Sequence, residues 1–204
     1  RQMCIRDRLE PEKFRDYCPN GLQVQGKKEV KNIVCGVSAS EALINEAVKR
    51  DADTIIVHHG YFWKNENPRI IGIKRTRIKK LLEHDINLIA YHLPLDANEK
   101  VGNNHELGRL LKLKDVTPLP DEPLVLQGEF DPPVTIEKLT DKLTEVLWRV
   151  PYVVPVDSPP SIRRVAFCSG AAQDYLEKAA DAGAQAYLSG EISERTVLEL
   201  SLIH

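Results

Sequence analysis

Histidine and carboxylate side chains recur at two places in this 204-residue chain, each just past an apolar run. His58-His59-Gly60 follows Thr54-Ile55-Ile56-Val57, and His92-Leu93-Pro94-Leu95-Asp96 follows Asn87-Leu88-Ile89-Ala90-Tyr91. Imidazole and carboxylate together suit zinc, iron or manganese, and a carboxylate can bridge two ions. Successive side chains on a strand point to opposite faces, so one ion does not easily take both His58 and His59. A bend at Gly60 would let the two imidazoles serve two neighbouring ions; without it they read as ordinary loop residues. Asp96 equally suits a turn or helix N-cap, and His92 a hydrogen-bonded rim position. Convergence favours the metal chemistry. Consecutive parallel strand ends share one rim, which would gather His58, His59, His92 and Asp96 in a small volume.

The elements that must position these residues follow from the pattern of apolar side chains. Ile33-Val34-Cys35-Gly36-Val37 is a compact apolar run of the buried-strand type. Ser40 precedes a stretch whose apolar residues 43, 44, 47 and 48 form one helical face, with the hydroxyl at the N-cap. Thr54 to Val57 is the next strand, so residues 33–57 form a β-α-β unit with parallel pairing. A second helix is expected over Lys74–His84, with Ile73, Ile78, Leu81 and Leu82 inward and Lys74, Arg75, Arg77, Lys79 and Lys80 outward. That basic face reads as solvated, not as a phosphate or nucleic-acid site. Asn87 to His92 is a third strand, and Asn103 or Asn104 starts a helix through Leu111. Pro118 to Pro133, rich in proline and acids, suits a connection. Thr135 to Trp148 has helical spacing, and Pro151 to Pro160 is extended. Residues 33–60 then recur as 165–192 without gaps, apolar Ile33, Ala47, Ala52, Ile55 and Ile56 meeting Val165, Ala179, Ala184, Tyr187 and Leu188. In that alignment His58-His59 corresponds to Gly190-Glu191.

Composition sets the outer bounds. Hydrophobic residues make up 42% and charged residues 28%, the balance of a globular protein with a core. No apolar run approaches the roughly 18 residues of a membrane span. A formal net charge of −2 gives no bulk pull toward nucleic acid or anionic lipid, so neither is an expected partner. Cys4, Cys18, Cys35 and Cys168 lie far apart, which suits reduced thiols and a cytoplasmic location. Cys35 and Cys168, in strand-like runs, are expected in the core. No Gly-x-Gly-x-x-Gly, Walker loop or Gly-x-Ser-x-Gly is present.

The two ends read differently. Met3-Cys4-Ile5-Arg6-Asp7 back-translates to ATG TGT ATA AGA GAC. With a little flanking sequence, the reverse complement of that string encodes Leu200-Ser201-Leu202-Ile203-His204. The shared element resembles a transposon end used to fragment DNA for sequencing. Residues 1–8 and 200–204 are therefore expected to be non-native, with native sequence from Leu9 to Glu199 and a missing C-terminus.

Four segments together resemble the dinuclear-metal-centre, ring-forming hexameric family whose bacterial members carry the name GTP cyclohydrolase I type 2. They are Asn20-Gly21-Leu22-Gln23-Val24, Val57-His58-His59-Gly60-Tyr61-Phe62-Trp63-Lys64, His92-Leu93-Pro94-Leu95-Asp96 and Gly102-Asn103-Asn104. The resemblance covers nearly all of Leu9 to Glu199. It implies an α/β fold of two similar three-layer α/β/α lobes related by internal duplication. The expected division is 9–117 for the first lobe, 118–160 for a connecting segment and 161–199 for an incomplete second lobe. It also implies a hexameric ring, a trimer of dimers, holding two divalent ions of zinc, iron or manganese. Carried over, the metal ligands are His58, His59 and Asp96. His92 matches a site-lining histidine and is carried as a tentative catalytic or supporting group. The family completes its site with a histidine and a glutamate near its C-terminus, and nothing after Glu199 supplies them. Glu191 is not taken as their replacement. The site in this chain is thus expected to be incomplete and to bind metal weakly or singly. The implied activity is a hydrolase using metal-activated water, with GTP as the nucleotide substrate. The alternative is a non-enzymatic metal-binding scaffold or regulatory partner. Tyr61-Phe62-Trp63 could stack on a base or form a hydrophobic lid or subunit contact.

Overall fold

The structure, a computed structural model, describes residues 2–154 and 161–200. The chain divides into two compact units, Arg1–Leu95 and Asp96–His204.

The first unit is built on a four-stranded sheet of order β1-β4-β3-β2, with β1 Gly21–Val24, β2 Ile33–Ser38, β3 Thr54–His59 and β4 Asn87–Ala90. β2, β3 and β4 run parallel, and β1 closes the other edge antiparallel to β4. Alternation along the central strands sorts their side chains onto two faces. On one face Ile55, Val57, Leu88 and Ala90 pack against Ile44 and Ala47 of helix α2 (Glu41–Lys49) and Ile78 and Leu81 of α3 (Gly72–Glu83). On the other, Ile56, Ile89 and Tyr91 meet Ile5 and Leu9 of α1 (Gln2–Leu9). Each fully buried Ile or Leu of this kind contributes about 1.5–3 kcal/mol. Ser40 caps α2 as its sequence predicts, its hydroxyl accepting from the Leu43 amide at 3.2 Å.

The second unit carries a sheet of order β5-β6-β7-β8, from β5 Lys114–Leu119, β6 Glu122–Val134, β7 Ile162–Cys168 and β8 Ala186–Ser189. Val165 and Phe167 face Leu139 and Leu143 of α6 (Ile136–Leu147) and Leu107 of α5 (Asn103–Leu110). Ala166 turns to Ala179 of α7 (Leu176–Asp181).

The internal repeat is visible in the ladders. In the first unit Ile33 pairs with Thr54 and Gly36 with Val57; in the second Val165 pairs with Ala186 and Cys168 with Ser189. Every such residue of the second pair of strands lies 132 positions after its counterpart in the first. The helix keeps the same offset: α2 over 41–49 corresponds to a 3-10 turn over 173–175 running into α7 over 176–181. Two lobes of one α/β design therefore share this chain.

Several expectations need correction. β2 lies at a sheet edge, so Ile33, Cys35 and Val37 are exposed despite their composition, and Cys35 is no core residue. Ile73 and Leu82 are exposed as well, because α3 buries only the narrow face of Ile78 and Leu81. Lys74 does not point outward: its side chain is 10% exposed and pairs with Glu66 at 3.2 Å. The proline-rich stretch 118–133 is the end of β5 and most of β6, which pairs with β7. The segment 118–160 thus holds β6 and α6 of the second sheet's layers. Residues 155–160 of the expected extended segment, and 201–204 of the expected foreign tail, lie outside the described residues.

Candidate metal centre

β3 and β4 are parallel neighbours with Val57 opposite Ala90, so the residues that follow each strand emerge on the same rim. Those residues are His58 and His59 from β3 and Tyr91 and His92 after β4. Ring centroids lie 4.5 Å apart for His58 and His59, 4.9 Å for His58 and His92, and 5.6 Å for His59 and His92. One donor atom from each of the three falls within 4.8 Å of the others, a group that could hold a metal ion. All three side chains are half-buried.

Each imidazole has a partner at Nδ1. His58 Nδ1 lies 3.1 Å from the Tyr91 carbonyl, an acceptor only, which makes Nδ1 the protonated nitrogen and Nε2 the basic one. His59 Nδ1 lies 3.2 Å from Ser38 Oγ, whose hydroxyl suits either tautomer. His92 Nδ1 lies 2.7 Å from Asp16 Oδ1. A metal-binding histidine usually has such an outer partner holding its ring and tautomer, so the donor set suits a borderline ion such as zinc.

The bend after His59 is built, not incidental. A Cβ on Gly60 would fall 2.1 Å from Gln23 Oε1 and 2.7 Å from the Ala90 Cβ, so no other residue fits there unchanged. The space is occupied by a clamp: Gln23 accepts from the Tyr61 amide at 2.7 Å and donates to the Tyr61 carbonyl at 3.1 Å. Glu66 then accepts from the Phe62 and Trp63 amides and pairs with Lys74. Phe62 holds φ at 65°, a left-handed conformation that costs a bulky side chain energy and persists under these restraints. The result seats the Trp63 indole edge-on to His92, with centroids 5.0 Å apart, and 5.8 Å from His59.

Asp16 and His92 form the most strongly perturbed pair of the rim. Burial favours the neutral acid for Asp16, but hydrogen bonds from His92, Asn20 and the Leu93 amide outweigh it and hold the carboxyl at about 2. For His92 burial opposes the cation, and hydrogen bonds and charge from Asp16 and Cys18 overcome it, raising the imidazole to about 9 in the metal-free protein.

Asp96 belongs to the second unit. It ends the short helix α4 (Leu93–Asp96), is buried, and accepts from Asn103 Nδ2 at 2.8 Å. Neither of the donor groups found among the described residues includes it. Glu191, just past β8, is exposed. Of the residues flagged by sequence, the structure gathers His58, His59 and His92. The residues missed were the outer partners Asp16, Ser38 and Cys18. Asp16 precedes His92 by 76 positions within a polar lead-in, and no spacing signal ties the two together.

A two-lobed α/β protein with an imidazole cluster on the rim of its first parallel sheet is the class these observations define. The sequence profile of the Duf34/NIF3 (NGG1p interacting factor 3) family matches residues 3–203, and the chain belongs to that family. It is 45% identical over 198 residues to a Haemophilus influenzae protein named GTP cyclohydrolase 1 type 2 homolog, covering 96% of this chain and 79% of that one. A Pseudomonas aeruginosa protein of the same name is 48% identical over 192 residues, covering 93% and 75%. Among solved structures, protein ybgI, described as of unknown function, superposes with a TM-score of 0.92 at 46% identity, covering 97% of this chain and 79% of that one. TTHA1606 from Thermus thermophilus gives 0.89 at 33% identity, covering 98% and 80%.

Proposed function

We propose that this protein is a metal-dependent hydrolase of nucleotide-like substrates. Its centre is built on His58, His59 and Asp96, with His92 as the proton-transfer group beside them. The observation that carries this reading is the gathering of three imidazoles, each already held at Nδ1, on the rim where parallel strands end. His58 and His59 would bind the ion through nitrogen, and Asp96 would add the carboxylate donor. A divalent ion (zinc, iron or manganese, two in the family the motifs resemble) would supply Lewis acidity and acidify water near neutral pH. His92 moves a proton to or from the reacting group, and Trp63 covers one side of the cluster and limits water there.

The relatives' name directs the substrate to a purine nucleotide, with attack on the base ring and loss of formate. A hexameric ring, implied by the family resemblance, and a cytoplasmic location, suggested by the separated cysteines, complete the proposal. Among the described residues no helix is long and apolar enough to cross a membrane.

Assay of the full-length protein with GTP and with a simple phosphodiester, in zinc, manganese or ferrous iron, tests the reading. Metal-dependent turnover that Asp96→Ala and His59→Ala abolish is expected. Absence of turnover on every substrate, with the ion bound, would overturn the hydrolase and leave a metal-binding scaffold. Sedimentation of the same sample reads the assembly.

A further inference from the structure

Besides the three histidines, one further group of donor atoms lies within 4.8 Å among the described residues: Asp16, Cys18 and His92. We infer that Asp16 is a positioning residue for His92. Its carboxylate keeps the proton on Nδ1 and leaves Nε2 as the working nitrogen beside His58 and His59.

The hydrogen bonds specify this arrangement. Asp16 Oδ1 accepts from His92 Nδ1 at 2.7 Å and from the Tyr17 amide at 2.6 Å. Oδ2 accepts from the Leu93 amide at 2.9 Å and from Asn20 Nδ2 at 2.8 Å. Asn20 in turn accepts from the His92 amide at 2.8 Å. One carboxylate therefore fixes the ring of His92 and the backbone on its C-terminal side, while Asn20 fixes the residue's own amide. The Asp16 side chain is only 4% exposed, so water does not compete for these bonds. A carboxylate surrounded by donors accepts only, and an acceptor opposite Nδ1 requires a proton there. The same saturation argues against an ion at Asp16, Cys18 and His92, because each carboxylate oxygen already accepts two hydrogen bonds. Ser38 differs in this respect. Its exposed hydroxyl accepts or donates, and so leaves the His59 tautomer unassigned.

The inference rests on the proton-transfer role proposed for His92. In that role Nε2 gives its proton to the leaving group and is reprotonated by the attacking water, while Nδ1 keeps its own. The Asp16 charge balances the ring before and after the two transfers, and no other reactant is needed.

Nitrogen-15 NMR of the imidazoles, assigned by comparison with His92→Gln, tests this in metal-free and zinc-loaded protein. The expected result is a slowly exchanging Nδ1–H of His92 in both states, lost in Asp16→Ala. Zinc affinity of that variant is expected to stay within about threefold of the parent, short of the tenfold or more typical of a lost ligand support. An unprotonated Nδ1 in the parent, or a resonance that survives in Asp16→Ala, would overturn the assignment. So would a tenfold loss of zinc affinity, which would make His92 a ligand. If Asp16→Ala does not fold, the parent spectrum alone decides, because the Nδ1 proton is read there. Failure of the parent to bind zinc would overturn the proposed function and leave the NMR result standing, so the two failures are distinguishable.

Discussion

β2–α2–β3 and β7–α7–β8 are one design with two outcomes. Their ladders keep the same register, their helices the same offset, and Ala47 and Ala179 fill the same buried position. They part at the strand ends. In the first unit the ladder runs on to Ser38 opposite His59, so the two adjacent imidazoles form the end of β3 itself. In the second it ends at Cys168 opposite Ser189, and the counterpart of His58 is Gly190. A Cβ at Gly190 would fall 2.3 Å from the Ser169 carbonyl oxygen and 2.9 Å from that of Gly170, both rigid backbone. The second copy thus has no room for the side chain that the first copy uses. Among the described residues β3 pairs with both β2 and β4, and β8 pairs with β7.

Substitutions at matched positions can break this contrast. The largest effect on stability is expected at Gly190→Ala, about 3 kcal/mol in chemical denaturation, because the contact is with backbone that cannot step aside. Gly60→Ala should cost about 2–3 kcal/mol, since the Gln23 side chain can swing away at the expense of its clamp on Tyr61 but the Ala90 Cβ, fixed in β4, cannot.

The pH dependence should also divide the two halves. His92 is raised to about 9 from its ordinary value of 6.5, so its contribution is complete below 6.5 and is lost as pH rises through 9. Asp16, lowered to about 2, adds stability above its ordinary value of 3.8 that is lost as pH falls toward 2. Thermal melts of the metal-free protein should therefore weaken between pH 6.5 and 9, and His92→Gln should flatten that slope. A slope unchanged in the variant would place its origin elsewhere.

Smaller effects refine the picture. Ser38→Ala removes the exposed partner of His59 and should weaken zinc binding by about tenfold, the low end for an outer partner. Ser40→Ala deletes the cap of α2 and should cost about 1 kcal/mol. Its counterpart Ala172 has no hydroxyl, and there the helix begins as a 3-10 turn instead.

Much of this was legible in the residues. Ile55, Ile56 and Val57, then Leu88, Ile89 and Ala90, read as strands because they are buried on both faces, and two strand ends carrying histidine named the rim. The offset of the repeat survived because the ladder register of the paired strands and the buried alanines Ala47 and Ala179 were kept. What stayed hidden depends on neighbours. Ile33, Cys35 and Val37 look like core by composition, but strand order leaves β2 at an edge. The prolines of 118–133 suggested a connection, yet β6 threads through them with Val125, Leu126 and Phe130 buried. Asp16 could not be paired with His92 from spacing, because only the folded chain brings residues 76 apart within a hydrogen bond.

The central claim, that metal chemistry belongs to the first strand end and not to its copy, is tested most directly by zinc titration of three proteins side by side. Isothermal calorimetry should show zinc binding to the parent chain, the same affinity in Glu191→Ala, and loss of about 100-fold or more in the His58→Ala, His59→Ala double variant. Equal binding by the parent and the double variant, or loss on changing Glu191, would contradict it.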